Sequence, residues 1–329
     1  MIFKRVELHN HSTESDGSMT AEELMEWAEK KEYGVVALTD HNTCSGHGKA
    51  HQAIQDKHLS VSLLEGVEVT TFYGHILALG MKKMIDMTEL DPKAPEAFFK
   101  KMRREGAVAI GIAHPFCLGR PATAGCRFDM IIHDWSMLDY IEVFNTSAGI
   151  EEKAEQIMGN EKALEYWEEK ALEGYALAAV TGKDIHQKPG EWPVMVTYAC
   201  VEEDTESDPA QEVLGAILEQ RTIVTKGPLF QANARDGILT VQYNNSSSYL
   251  GWKDRFRELK PVLFLRDNLG NCLKYAMDWN KEKQEFEIAK EADRVVIRIY
   301  DGHVQFQNLL AAGAVVKQRK CGKKGDERG

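Results

Sequence analysis

The sequence predicts an α/β barrel followed by a small antiparallel β-rich module. Three observations carry this reading. Through the first two thirds of the 329 residues, continuous apolar runs alternate with amphipathic stretches, the pattern of a largely parallel sheet covered by helices. The polar residues that close those runs are mostly histidines and acids, and the carboxyl ends of barrel strands are where chemistry gathers. Towards the end of the chain the pattern changes to short alternating runs divided by turn-rich segments.

The elements follow in order. FKRVEL reads as a strand. Thr20, with Glu23 three residues on, forms a capping box for a helix over TAEELMEWAEKKEY. Leu24, Trp27 and Ala28 recur there at helical spacing, and Gly34 stops the helix. VVALTD is a strand and SGHGKAHQAIQDKH a weak helix. SVSLLEGVEVTT and GHILALG are strands, PEAFFKKMRREG is a helix, and AVAIGIAH and MLDYIEVFN are strands. EKALEYWEEKALEG is a helix and YALAAVTGKD a strand. Six or seven such units predict a barrel more than an open sheet. Near the end, ILTVQY, PVLFLRD, FEIAK and RVVIRIYD are short strands, with NNSSS, DNLGN and DWNKEKQ as turns. The boundary falls in KGPLFQANARDG, giving expected domains at 1–230 and 231–318 and a flexible polar tail at 319–329. Tyr249, Trp252, Phe256 and Trp279 are read as core of the second module.

Composition narrows the function. The net charge is −11, from 40 Lys and Arg against 51 Asp and Glu. No basic face precedes the tail, so no extended nucleic-acid surface is expected. No apolar run reaches the ~18 residues of a membrane span, and no signal peptide precedes the first histidines, so the expected location is cytoplasmic. The six cysteines form no CxxC pair, which argues against a disulfide scaffold and a cysteine zinc site.

The ends of the expected strands carry a constellation. His9 and His11 follow the first strand; Asp40 and His41 close the second. Glu68, His75 and His114 lie at or near the ends of the next three. Glu142 and Asn145 come next, then Asp184 and His186. His9/His11 and Asp184/His186 are i,i+2 pairs, which on a strand address one side. Imidazole and carboxylate together suit Zn²⁺, Mn²⁺ or Fe²⁺. One buried histidine is ordinarily a hydrogen-bonded core residue, and an Asp such as Asp16 is ordinarily a turn residue. Six of eleven histidines at strand ends is too selective for neutral packing. His47, His51, His58, His133 and His303 are read as structural or surface residues.

In this order, HNHSTESDG, LTDH, GVEVT, GHILALG, IAHP and TGKDIH resemble the motifs of the PHP family, named for polymerase and histidinol phosphatase domains. The resemblance spans roughly residues 4–230. It implies a distorted (β/α)7 barrel holding two or three divalent metals, and its stand-alone members are mostly phosphoesterases. Carried over, His9, His11, Glu68 and Asp184 look like ligands of one metal. Glu68, His75 and His114 look like those of a second, and Asp16, His41 and His186 like those of a third. Glu65 is a rival to Glu68 but points to the other strand face. Many members have a small residue where this chain has Lys183, which either touches a substrate phosphate or reaches solvent. Arg120 and Arg127 either fork onto a phosphate or lie on the surface. Asp40 is expected to orient a ligand imidazole.

The implied reaction is hydrolysis of a small phosphorylated metabolite, nucleotide or short oligonucleotide by a metal-bridging hydroxide. Three carboxylates facing up to three M²⁺ leave a positive excess that an anionic ester would meet. His41, His186 and Asp184 are the expected catalytic residues, with His186 or His41 assisting the leaving group if the third metal is absent. Two alternatives stay open: C–N hydrolysis of the amidohydrolase type on the same site, and a non-catalytic metal-bearing domain that recruits a partner.

Overall fold

A computed structural model describes residues 1–118, 126–146, 157–188, 195–203, 206–243 and 258–320. They divide into two compact units, Met1–Ala171 with Tyr175–Lys226, and Leu172–Gly174 with Gly227–Gly329.

The first unit contains strands β1 (Ile2–Glu7), β2 (Val35–Leu38), β3 (Ser62–Thr71), β4 (Gly74–Leu79), β5 (Ala109–Ile112), β6 (Tyr140–Asn145), β7 (Ala178–Gly182), β8 (Val196–Val201) and β9 (Thr222–Thr225). Its described helices are α1 (Ala21–Lys30), α2 (His47–Lys57), α3 (Glu96–Arg104), α4 (Asn160–Glu173) and α5 (Pro209–Leu218). The strands pair in the order β9-β8-β1-β2-β3-β4-β5-β6-β7. Pairs β1/β2, β2/β3, β5/β6 and β6/β7 are parallel. Pairs β3/β4, β4/β5, β1/β8 and β8/β9 are antiparallel.

The architecture is mixed α/β, and it departs from a regular barrel. Two residues, Phe72 and Tyr73, join β3 to β4, too few for the helical crossover that parallel strands need. Nor do the described strand ladders close into a ring. Side chains link β7 to β8 and β9 instead. Thr181 N donates to Thr197 Oγ1 at 2.7 Å, and Thr222 Oγ1 donates to Ala179 O at 2.9 Å. Beyond β1 and β7 the chain ends meet: Asp184 N donates to His9 O at 2.9 Å and His11 N to Ile185 O at 3.1 Å. The two i,i+2 pairs thereby become neighbours.

Local chemistry starts and stops these elements. Thr20 caps α1 through the expected box: Glu23 N donates to Thr20 Oγ1 at 3.1 Å and Thr20 N to Glu23 Oε2 at 2.8 Å. Leu24, Met25, Trp27 and Ala28 form its buried face. Asp208 caps α5, with Pro209 in the first turn, where a missing N–H costs nothing. Val213, Leu214 and Ile217 of α5 share one core with Val6, Val35, Leu64, Leu77 and Tyr140.

The second unit contains β10 (Phe230–Arg235), β11 (Ile238–Tyr243), β12 (Pro261–Asp267), β13 (Cys272–Ala276), β14 (Lys283–Glu287), β15 (Arg294–Asp301) and β16 (Leu309–Arg319). Among the described residues its strands pair antiparallel except β10/β16, which is parallel. Asp236 and Gly237 turn β10 into β11, both at positive φ, as a two-residue hairpin demands. The Tyr243 and Trp279 rings lie 5.0 Å apart. Tyr249, Trp252 and Phe256 lie outside the described residues, as do residues 321–329 of the expected tail, whose start is still strand at Arg319.

Candidate metal centre

The polar ends of β1 to β7 deliver their side chains to one cluster. His9 and His11 arrive from the extension of β1, each fully buried. The chain then loops back to present Asp16. Asp40 shapes that loop by accepting hydrogen bonds from Ser12 N (2.7 Å), Ser12 Oγ (2.7 Å) and Ser15 Oγ (2.6 Å). Asp40 therefore holds the 12–15 loop rather than a ligand imidazole. Gly17 completes the turn, because a Cβ there would lie 2.4 Å from His11 O. His114 and Asp184 sit at positive φ, 26° and 51°, a strained backbone of the kind that concentrates at functional sites.

Glu68 stands at the centre, with no solvent exposure. Its Oε1 lies 2.8 Å from His75 Nδ1 and 3.2 Å from His114 Nε2. Its Oε2 lies 2.8 Å from His41 Nδ1, 3.2 Å from His9 Nε2 and 3.3 Å from His11 Nε2. Glu65 faces elsewhere, towards Lys82 and His51. Asp184 Oδ1 lies 3.0 Å from His11 Nε2 and 3.3 Å from His186 Nδ1. Asp16 reaches His186 Nε2 at 3.3 Å and His41 Nε2 at 3.6 Å. Four groups among the described residues each offer ligand atoms within 4.8 Å of one another: His9/His11/Glu68/Asp184, His41/Glu68/His75, His9/His114/Glu142, and His11/Asp16/His41/His186. The first is the set expected for one metal. The third-metal set gains His11, while His41 joins Glu68 and His75.

Hydrogen bonding fixes which nitrogens are free to bind a cation. His9 Nδ1 faces Glu142 Oε1 at 3.1 Å, His114 Nδ1 faces Cys126 O at 3.0 Å, and His186 Nδ1 faces Asp184 O at 2.9 Å. Each of these oxygens accepts, so each Nδ1 carries the proton of a neutral ring. The Nε2 lone pairs of His9 and His114 then aim at Glu68, and that of His186 at Asp16. A lone pair facing a carboxylate at about 3 Å is repulsive unless a cation lies between or the ring is protonated. His9 Nε2 and His11 Nε2 also face each other at 3.1 Å. The donor set therefore fits divalent metal.

Without a cation the same charge must come from protons. Burial opposes a charge on His9, yet Glu68, Asp184 and Glu142 hold its pKa well above the ordinary value. Burial likewise opposes charge on His11 and His114; hydrogen bonds from His11 to Asp184 and Glu68, and for His114 a hydrogen bond to Glu68 with the nearby charge of Asp184, outweigh it and raise both to about 9. Glu68 and Asp184 are pulled well below the usual carboxylate range by His9 and the other imidazoles, against burial.

Residues behind the cluster were less visible in the sequence. Glu142, noted at a strand end without a role, holds His9 Nδ1 through Oε1, while its Oε2 accepts from His114 N at 2.7 Å and Asn145 Nδ2 at 3.2 Å. Gly182 makes room for it, since a Cβ there would lie 1.6 Å from Glu142 Oε1. Thr70 Oγ1 meets His41 Nδ1 at 2.5 Å. Glu7 is buried beneath, accepting from Lys183 N at 2.8 Å; burial raises its carboxyl to about 7, against the attraction of Lys183. Glu7 continues the alternation of His9 and His11 along one strand face, a signal present in the sequence. Lys183 is half-buried beside Glu7, and burial lowers its amine. Arg127 is exposed, 3.2 Å from Asp129. Arg120 lies outside the described residues.

Comparison with known proteins adds a domain match and partial relatives. Residues 7–166 match the PHP domain model. The chain is 35% identical over 79 residues to the 5'-3' exoribonuclease Rnm of Escherichia coli, covering 23% of this chain and 27% of that one. It is 33% identical over 126 residues to a 3',5'-nucleoside bisphosphate phosphatase of Chromobacterium violaceum, 37% of this chain and 40% of that one. The chain thus spans well under half of either relative. A crystal structure of a two-domain Bacteroides vulgatus protein containing a predicted PHP-like metal-dependent phosphoesterase aligns over 95% of both chains, with TM-score 0.52 and 15% identity. That likeness concerns fold.

Proposed function

We propose, from a PHP domain at residues 7–166, that this chain is a metal-dependent phosphoesterase acting on a small phosphorylated metabolite, nucleotide or short oligonucleotide. The observation that carries the reading is the set of imidazole lone pairs turned onto Glu68 and Asp16. The two curated relatives, named for exoribonuclease and bisphosphate phosphatase activities, support the same class. In this reading the first unit is a distorted (β/α)7 barrel, its irregularities being the β3–β4 hairpin and the side-chain seam at β7.

The roles follow from position. His9, His11, Glu68 and Asp184 would hold one divalent ion, Glu68, His75 and His114 a second, and Asp16, His41 and His186 a third, with Zn, Mn or Fe as candidates. Such ions supply Lewis acidity towards phosphoryl oxygens and an acidified water. Glu68 and Asp184 keep the negative charge that gathers the ions, and burial around His9 and His11 excludes bulk solvent. Asp16, the exposed member, stands at the open side with His41 and His186. If that third ion is absent, His41 or His186 would instead give a proton to the departing oxygen. Arg127, and Arg120 beyond it, would fork onto substrate phosphate.

The test is metal content by mass spectrometry on protein purified without chelator, paired with phosphate release from aryl phosphates, nucleoside monophosphates, nucleoside bisphosphates and dinucleotides. Bound metal with phosphate release is expected. Metal-loaded protein that releases neither phosphate from the monoesters nor mononucleotide from the dinucleotides, or that frees ammonia from amides instead, overturns the proposal.

A further inference from the structure

The turn between β3 and β4 spends two aromatic residues where folding asks for none. Two-residue hairpin tips ordinarily take Asn, Gly or Asp, which tolerate the backbone they require. Here they are Phe72, 72% exposed and the most exposed large hydrophobic side chain among the described residues, and Tyr73, 45% exposed. The rings meet edge to face, centroids 5.6 Å apart at 79°. Neither ring is buried by the unit that carries it.

The backbone beneath them is fixed. Tyr73 N donates to Thr71 Oγ1 at 3.0 Å, Thr71 Oγ1 donates to Gly74 O at 2.7 Å, and Asp129 N donates to Tyr73 O at 2.8 Å. Gly74 lies so close to Phe128 that a Cβ would come within 2.7 Å of that ring. The tip is thus a rigid mount for two solvent-facing rings.

Its place gives it a use. The second rung from the tip, below Thr71 and Gly74, pairs Thr70 with His75. His75 touches Glu68 and Thr70 touches His41, so that rung belongs to the cluster. At about 3.3 Å per residue the tip begins roughly 7 Å beyond it, a distance that a ribose spans between phosphate and base. Arg127 lies in the segment anchored to the tip, with Asp129 as its carboxylate neighbour.

Resting on the phosphoesterase reading, we propose that Phe72 and Tyr73 form a stacking platform for a nucleobase, so that the ester presented to the cluster belongs to a nucleotide. An aromatic face accepts any base, which gives preference for nucleotides over sugar phosphates without preference among bases.

The experiment is equilibrium binding to the Mn²⁺-loaded full chain of adenosine 5'-monophosphate, ribose 5-phosphate and a 5'-phosphorylated trinucleotide, with thiophosphate forms where turnover interferes. The native chain is expected to prefer the mononucleotide over ribose 5-phosphate by about tenfold or more, a typical yield for one stacked base. Phe72→Ala with Tyr73→Ala should erase that preference while metal content and unfolding temperature hold. Leu269→Ala, an exposed hydrophobe of the second unit, should leave the preference as it was. A trinucleotide that loses more affinity than the mononucleotide assigns the platform to oligonucleotides; equal losses assign it to mononucleotides. Equal binding of nucleotide and ribose 5-phosphate by the native chain, or a preference that survives the double substitution, overturns the platform. An altered oligomeric state with preference intact would make the tip a protein contact. Because binding is read directly, absence of hydrolysis of every phosphate ester would sink the phosphoesterase reading and leave this comparison decisive.

Discussion

Glu142 shows how one carboxylate can matter from behind a candidate metal centre. It ties His9 Nδ1 to one oxygen and His114 N to the other, and so orients two candidate ligands. Replacing Glu142 with Gln keeps the shape and removes the charge. Metal affinity should fall by about 10–100-fold, the usual cost of losing a group that orients a metal-binding histidine. Calorimetric titration with Mn²⁺ reads that loss, and near-native unfolding temperature separates it from misfolding. His11→Ala differs in kind, because His11 meets both Glu68 and Asp184. That variant should fold and lose activity altogether; an active His11→Ala protein would remove His11 from the machinery.

Helix α1 was legible in the sequence because its signals are local. Thr20 and Glu23 lie three residues apart, and the box they form needs nothing from elsewhere in the chain. Thr20→Ala should therefore cost about 1 kcal/mol in denaturant unfolding, with metal content unaltered. A loss far above that figure would show that Thr20 does more than cap. The histidines of the candidate metal centre were legible for a related reason, since strand ends and i,i+2 spacing are written in order along the chain. Other features depend on distant partners. The pairing of β4 antiparallel to both β3 and β5 follows from a two-residue turn whose Phe-Tyr sequence carries no ordinary hairpin signal. Asp40 binds Ser12 and Ser15, 28 and 25 residues away, so its separation from the imidazoles could not be read from LTDH alone. Likewise β8 and β9 lack the histidines that marked most of the other strand ends, and β16 opens on a run of small and apolar residues.

The unit built around this cluster carries an electrostatic load that metal and protons must share. His11 and His114 in the metal-free fold hold their protons up to about 9, against 6.5 ordinarily, and His9 shifts the same way. A raised pKa means the folded chain binds more protons than the unfolded one between the two values. The stability those protons contribute is complete below about 6.5 and lost as pH rises through about 9. Glu68 and Asp184, shifted down, contribute stability that is lost only at acid pH, so they are silent in this window. The unfolding temperature of chelated protein should therefore fall from pH 6.5 to 9. Divalent ions displace those protons, because imidazole binds metal only when neutral. Metal uptake at pH 7.5 should then release protons, read as a dependence of calorimetric heat on buffer ionisation enthalpy, and the loaded protein should lose the alkaline decline. A chelated protein whose unfolding temperature stays flat or rises between pH 6.5 and 9 would mean that the imidazoles are neutral in the empty cluster. Glu68 would then be stabilised by something other than its histidines.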